Sequence, residues 1–284
     1  AGTYTLDQHR PITVNGTGET SRVVFRAYPG ERATFAATSA ADVDRIDVEA
    51  SWLTLWDLEI TNTSLARDRN RGASIYNNGN CNRFLSLVVH DGGHGFYNEP
   101  ARYGVELIGS IFYNNGWRKG ADTGRGDGHA MYIKSNPSPS NTCRPGQARI
   151  VVKDNVAFNG FGFGIHAYTD RRGEGVSGAL LEGNVLFNNG SVVDVSDSHR
   201  SSNLLLAGGA EVVIVSNDTV RRNMSYYSPR AKLENPGGGI RVGYEPGSWS
   251  SRHDHAVVTD NYTVGGSDAL QIRNWDTVVV RNNV

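Results

Sequence analysis

The chain has 284 residues, 38 % of them hydrophobic and 20 % charged, with a formal net charge of −1 at pH 7. That composition excludes a disordered chain, and the near-neutral balance argues against the positive field that a general nucleic-acid or membrane-surface binder requires. No run approaches the apolar length needed to cross a bilayer.

In chain order, the first stretch is "AGTYTLDQHRPITVNG", which reads as an opening pair of short strands. The start at Ala1 rather than Met leaves room for a removed leader. No extended i, i+3, i+4, i+7 apolar pattern follows anywhere, so helices are not expected. Short β-branched runs broken by Asn-Gly and Gly-Gly follow instead, which is strand-and-turn grammar. "DLEITN", "SLVVHD", "SIFYNN", "NVAFNG", "NVLFNN", "NMSYYS", "NYTVGG" and a final "NV" begin at 57, 86, 110, 155, 184, 223, 261 and 283. The intervals are 29, 24, 45, 29, 39, 38 and 22, which fits a unit near 22 residues lengthened by inserted loops. Between them lie strands of a second type: "ASIYNN" (73–78), "HGFYNE" (94–99), "HAMYIK" (129–134), "FGIHAY" (163–168), "GGIRVG" (238–243) and "ALQIRN" (269–274).

Short strands, a fixed unit and asparagines recurring at turns predict an all-β fold, a single right-handed parallel β-helix over residues 1–284 with loop insertions beside one face. Stacked Asn amides satisfy each other along the axis. The chain stops mid-coil at "RNNV", so further coils are expected beyond Val284. Period-2 alternation places Ile75, Met131, Ile165, Ile240, Val156 and Val185 inward. It places Tyr76, Tyr97, Tyr132, His166, Arg241 and Gln271 outward, with Asn78, Glu99, Lys134, Tyr168, Gly243 and Arg273 two positions further on. Cys81 and Cys143 form either one bridge or two free thiols, and their number alone does not choose.

This coil pattern resembles the pectin-lyase-like right-handed parallel β-helix superfamily of secreted polysaccharide lyases and glycoside hydrolases. Its nearest echoes are bacterial β-helix repeat proteins, through Gly128-His129-Ala130-Met131-Tyr132 and Gly164-Ile165-His166-Ala167-Tyr168. The resemblance implies a secreted, cell-surface or periplasmic monomer acting on a polysaccharide.

The outward residues carry the chemistry. Tyrosine, histidine and arginine combine apolar area with directed hydrogen bonds, as a sugar-binding groove requires. Insertions at 116–128 and 136–147 are expected on both sides of the Tyr132 strand, with 169–176 and 244–255 flanking the same face, and sites are built on such loops. The groove therefore centres on Tyr132, Lys134, His166 and Tyr168. Arg241, Arg273, Gln271, Tyr97, Glu99, His129, Asp127 and Asp170 are the candidate substrate contacts. A β-elimination on a uronic-acid polymer needs a cation for the carboxylate, a base for the C5 proton and a donor for the leaving oxygen. Lys134, Arg241 or Arg273 can supply the cation, His166 or Lys134 the base, and Tyr132 or Tyr168 the donor. Neighbouring cations are expected to lower a tyrosine or lysine pKa there. His166→Ala and Lys134→Ala are expected to remove turnover and leave the melting temperature nearly unchanged. A glycoside hydrolase would instead need two carboxyls such as Asp127 and Asp170, and a non-catalytic glycan-binding scaffold would need none.

Other motifs weigh less. "RGD" (125–127) is short enough to arise by chance. "HDGGH" (90–94) has its two glycines where a metal-binding helix would have to run, so loop filling is expected. "HDH" (253–255) reads as a solvated turn, and "GFGFG" (160–164) lacks the helix that a phosphate loop feeds. No metal is assigned, although Asp194 and Asp197 are candidate Ca2+ ligands.

Overall fold

The computed structural model describes residues 2–39, 43–62, 72–119, 125–135, 142–147, 149–191, 201–209, 214–228, 237–243 and 252–284. Among them there is no helix, and the strands form three long sheets of nine, nine and ten, every neighbouring pair in these parallel. Each coil of the solenoid contributes one strand to each sheet in turn. The third sheet went unread in the sequence because its strands, such as Val105–Ile108 and Ile150–Lys153, run into the next first-sheet strand across only two residues.

Parallel stacking puts like on like. Ile46, Ile75, Phe96, Met131, Ile165, Leu204, Ile240 and Leu270 are successive partners across eight coils of the second sheet. All but Leu270 are at most 4 % exposed. Burying each such side chain contributes roughly 1.5–3 kcal/mol, so this column is a principal support of the fold. Val156 and Val185 depart from expectation. They face outward, half-buried, and their neighbours Ala157 and Leu186 fill the interior. Parity there is set by the buried Asn155 and Asn184 one residue earlier.

Those asparagines form the expected ladder. Asn155, Asn184, Asn223, Asn261 and Asn283 are linked by Nδ2–H donors to the next Oδ1 at 2.8–3.0 Å. Each Nδ2 also donates to a carbonyl of the preceding coil, Leu107, Val152, Leu181, Val220 or Val258. Before each ladder residue the chain takes a left-handed turn: Asp154 (φ 55°), Gly183 (68°), Arg222 (55°), Asp260 (58°) and Asn282 (53°). A residue with a β-carbon strains in that region, and the ladder bonds repeated on these five coils hold it there.

Cys81 and Cys143 form a disulfide with Cα atoms 5.7 Å apart. The bridge anchors the described part of the second insertion (142–147), where Arg144 pairs with Glu106 and Gln147 Nε2 donates to Glu106 Oε1 at 2.9 Å. Glu106 lies on the third sheet, so this part of the insertion is tied there rather than over the Tyr132 strand. Residues 244–251, expected to flank the same face, lie outside the described residues, as do Asp194 and Asp197.

Candidate active site

The second sheet carries the site, and the corner that precedes each of its strands shapes it. Gly95 and Gly164 sit just before the inward Phe96 and Ile165. A β-carbon on either would lie 2.5 Å from the carbonyl oxygen of the next coil, that of Ala130 or Asn203. Only a small residue fits such a bend. The chain bends at Ala130 and Gly164, and the residues before these positions and before Gly95 face outside: His94, His129 and Phe163 stand in one column across three coils. Beside it runs the column Tyr97, Tyr132, His166, with Tyr97 opposite Tyr132 and Tyr132 opposite His166.

The two columns make one aromatic cluster. Tyr132 and His166 have ring centroids 4.7 Å apart, His129 and His166 4.2 Å, and His94 and His129 5.2 Å. Phe163 stacks on one face of His166 (4.3 Å, 3°) and Tyr168 stacks on it at 4.8 Å and 14°. Trp117 closes the side near His94 with an edge contact at 5.2 Å. It begins a two-stranded antiparallel ribbon, Trp117–Lys119 with Arg125–Asp127, so "RGD" is a ribbon strand. Its Asp127 accepts the Gly128 N–H at 2.9 Å and lies 3.9 Å from His129 Nε2.

Charge enters from one side. Lys134 Nζ is 5.1 Å from the Tyr132 ring centroid, 5.5 Å from that of Tyr97, and 3.3 Å from Glu174 Oε2. Glu174 also accepts a hydrogen bond from Thr169 Oγ1 at 2.5 Å. Both Lys134 and His166 point away from the solenoid interior, yet they are only 3 % and 7 % exposed. The expectation that they stand in solvent is therefore not met, because the cluster and Glu174 cover them. Burial first, then the neighbouring Tyr97 and the carboxylates of Asp170 and Glu174, pushes the Tyr132 phenol well above its usual range. Burial also raises Tyr97, against the opposing pull of Lys134. The expected lowering of a tyrosine pKa is thus reversed: desolvation outweighs the single ammonium.

The structure gathers Tyr132, Lys134, His166, Tyr168, Tyr97, His129 and Asp127, while Asp170 is exposed next to the cluster. Glu99 lies one coil back, accepting the Tyr76 hydroxyl at 2.6 Å. Arg241, Gln271 and Arg273 are not brought in. Leu205 comes between His166 and Arg241, so Arg241 is three coils, about 14 Å, from Tyr132, and Gln271 is one coil further. The strand Leu204–Gly208 was not recognised in the sequence because it lacks a polar outward residue. Sequence reasoning also missed His94, Trp117, Phe163 and Glu174. The shared pattern of "HGFY", "HAMY" and "FGIH" marks the first and third of these, once the small second residue is read as a bend. "HDGGH" is accordingly no loop filler at its second histidine. "HDH" is not a solvated turn either: His253 is 2 % exposed at the start of the strand Arg252–Thr259. Among the described residues no group of three or more His, Cys, Asp or Glu is placed to hold a metal ion.

No protein-family model matches the chain and no curated protein does. Solved structures do. A rhamnogalacturonan lyase superposes with a TM-score of 0.58 at 15 % identity, over 99 % of this chain and 78 % of its own. Pectate lyase Pel9A gives 0.54 at 16 %, over 97 % and 68 %. The alginate lyase from Paenibacillus sp. str. FPU-7 gives 0.52 at 13 %, over 97 % and 89 %. The fold is a parallel β-helix, as in these three proteins. In this β-helix the candidate site occupies the outer face of the second sheet over the coils that begin at His94, His129 and Phe163.

Proposed function

We propose that the protein is a carbohydrate-active enzyme, a polysaccharide lyase that cleaves a uronate-containing polymer by β-elimination. The observation that carries this reading is the pairing of Tyr132 with His166, in register on adjacent coils at 4.7 Å between centroids, beside the Lys134 ammonium. In the proposed step His166 takes the C5 proton, the electron pair forms the C4–C5 double bond, and the C4–O bond breaks. The leaving oxygen takes the phenolic proton of Tyr132. A phenol held above its usual range stays protonated at neutral pH, which suits a donor and not a base. Lys134 balances the uronate carboxylate, and Tyr168, stacked on His166, keeps the imidazole oriented and is the alternative donor.

The lyase names of the three similar structures agree in class with this reading, but at 13–16 % identity they support the fold alone. The Cys81–Cys143 disulfide fits an oxidising compartment, hence secretion or the cell surface. A second reading, glycoside hydrolysis, draws on Asp127 at 3.9 Å from His129 and on the Asp170 charge felt at Tyr132. A screen of acidic polysaccharides decides between them. Ultraviolet absorbance of an unsaturated uronide is the lyase result. Reducing ends without that absorbance are the hydrolase result, and binding without any product leaves a glycan-binding scaffold.

A further inference from the structure

His94 and His129 share an arrangement that fixes their hydrogens. The backbone N–H of His129 donates to His94 Nδ1 at 3.2 Å, and the backbone N–H of Phe163 donates to His129 Nδ1 at 3.1 Å. A peptide N–H can only donate, so both Nδ1 atoms are acceptors and both rings carry their hydrogen on Nε2. Protonating either ring would put a hydrogen where the peptide N–H already points, deep in a packed corner.

The device recurs two coils earlier in another chemistry: Asp44 Oδ1 accepts the N–H of Ala73 at 2.8 Å, and Ala73 is opposite His94. A carboxylate therefore suffices for the capping role, and histidine adds something that capping does not need, a second nitrogen on the far side of the ring. At His129 that nitrogen lies 3.9 Å from Asp127 Oδ1, at the cluster's ribbon side. His253 provides the opposite case, since its Nε2 accepts the Gly208 N–H at 2.9 Å and its hydrogen must sit on Nδ1.

We propose that His94 and His129 are locked as neutral Nε2–H imidazoles and form a fixed pair of donors for an acceptor oxygen, carboxylate or hydroxyl, of the bound saccharide. They neither accept a proton from the substrate nor carry charge, and proton transfer is left to His166 and Tyr132. The ligand's identity rests on the carbohydrate reading above; the tautomers do not.

Long-range 15N–1H correlation spectra of the imidazoles test the lock on the free protein, with His94→Asn and His129→Asn assigning the signals among the eight histidines. The expected result is an Nε2–H pattern for both from pH 8 to pH 5, with His253 in the Nδ1–H pattern as internal contrast. An Nδ1–H pattern, or titration of either near the ordinary value of about 6.5, overturns the proposal. Asn retains an acceptor at the Nδ1 position and Gln a donor at the Nε2 position. His129→Asn is therefore expected to melt within about 2 °C of the parent and His129→Gln lower than that. Trigalacturonate, with galactotriose as the neutral counterpart, then tests the donors. Saccharide binding should shift both Nε2 signals and weaken about tenfold in His129→Asn. Binding that leaves both Nε2 signals unmoved overturns the donor role. No binding of either sugar at millimolar concentration, with the tautomer pattern intact, overturns the donor role together with the carbohydrate reading while the lock itself stands.

Discussion

Lys134 Nζ lies 3.3 Å from Glu174 Oε2, with the two side chains 4 % and 19 % exposed. This is a largely buried ion pair, and removing one partner strands the other charge in low dielectric. Lys134→Met is therefore expected to lower stability by about 2–4 kcal/mol, with much of the loss restored by adding Glu174→Gln. Urea denaturation of the two single variants and the double variant measures it. Equal stability of Lys134→Met and the parent would show that the pair contributes nothing, and would return Lys134 to the exposed role expected from sequence.

In the proposed elimination Tyr132 and His166 carry two different proton transfers. Tyr132→Phe keeps the ring that packs against Tyr97, Lys134 and His166 but has no proton to donate. It is expected to lose at least about a hundredfold in kcat, the usual scale for a general acid, with little change in melting temperature. His166→Gln should lose as much. A Tyr132→Phe variant that turns over at the parent rate would move the donor role to Tyr168.

Acid should destabilise the protein through His253. Burial holds this imidazole down at about 4, against a weaker opposing effect of Asp276. In the unfolded chain it titrates near 6.5, so between pH 6.5 and 4 the unfolded state binds a proton that the folded state refuses. Stability is complete above that window and falls as pH drops through it, by up to the order of 3 kcal/mol. Comparing urea midpoints at pH 7.5 and pH 5 tests this, and His253→Gln should flatten the difference. A difference that survives the substitution belongs to other groups.

Base should destabilise it through Asp218. The residue is 1 % exposed, its Oδ1 accepts the Ala179 N–H at 2.8 Å, and burial raises its pKa well above the ordinary value. It follows the left-handed Asn217 (φ 58°), as Asn82 follows the left-handed Cys81 (φ 59°). Asn82 accepts the Leu53 N–H on Oδ1 and donates from Nδ2 to the Ala50 carbonyl, whereas Asp218 Oδ2 has no hydrogen-bond partner among the described residues. A raised folded pKa means stability that is full below the unfolded pKa of about 3.9 and is lost as pH rises through the folded value. Asp218→Asn should raise the melting temperature at pH 8 and leave it unchanged near pH 4. An unchanged or lower melting temperature at pH 8 would mean that the carboxylate is accommodated.

How much of this was legible in the sequence follows from where the two-residue alternation holds. From the inward residue of each second-sheet strand onward it holds, so Tyr132 beside His166 and the Ile75–Met131–Ile165 column could be read from letters alone. At the corners it fails. His94, His129 and Phe163 have the parity of interior residues and are turned out by a bend that only a small following residue reveals. Val156 and Val185 fail for the same reason, since a buried asparagine resets the count. Glu174 was illegible because its approach to Lys134 is made by a turn, with no periodicity to announce it. Burial of outward residues was equally hidden, since it depends on what neighbouring coils lay over them.

From the second coil onward, the passage from the third sheet to the first takes one or two residues every time: Asp57, then 86–87, 109–110, 154–155, 183–184, 222–223 and 260–261. Each contains one left-handed residue or glycine, and from Asn155 onward the asparagine ladder runs alongside it. Every longer segment in those coils enters or leaves the second sheet. The two jobs of the chain are thereby kept on separate edges, one that sets the pitch and one that is free to vary. Loops beside the second sheet can be lengthened, shortened or exchanged without shifting the register of the coils. The same frame could thus be refitted for a different ligand by rewriting only the segments that border Tyr132 and His166, whereas a single residue inserted after Asp154 would put every later coil out of step.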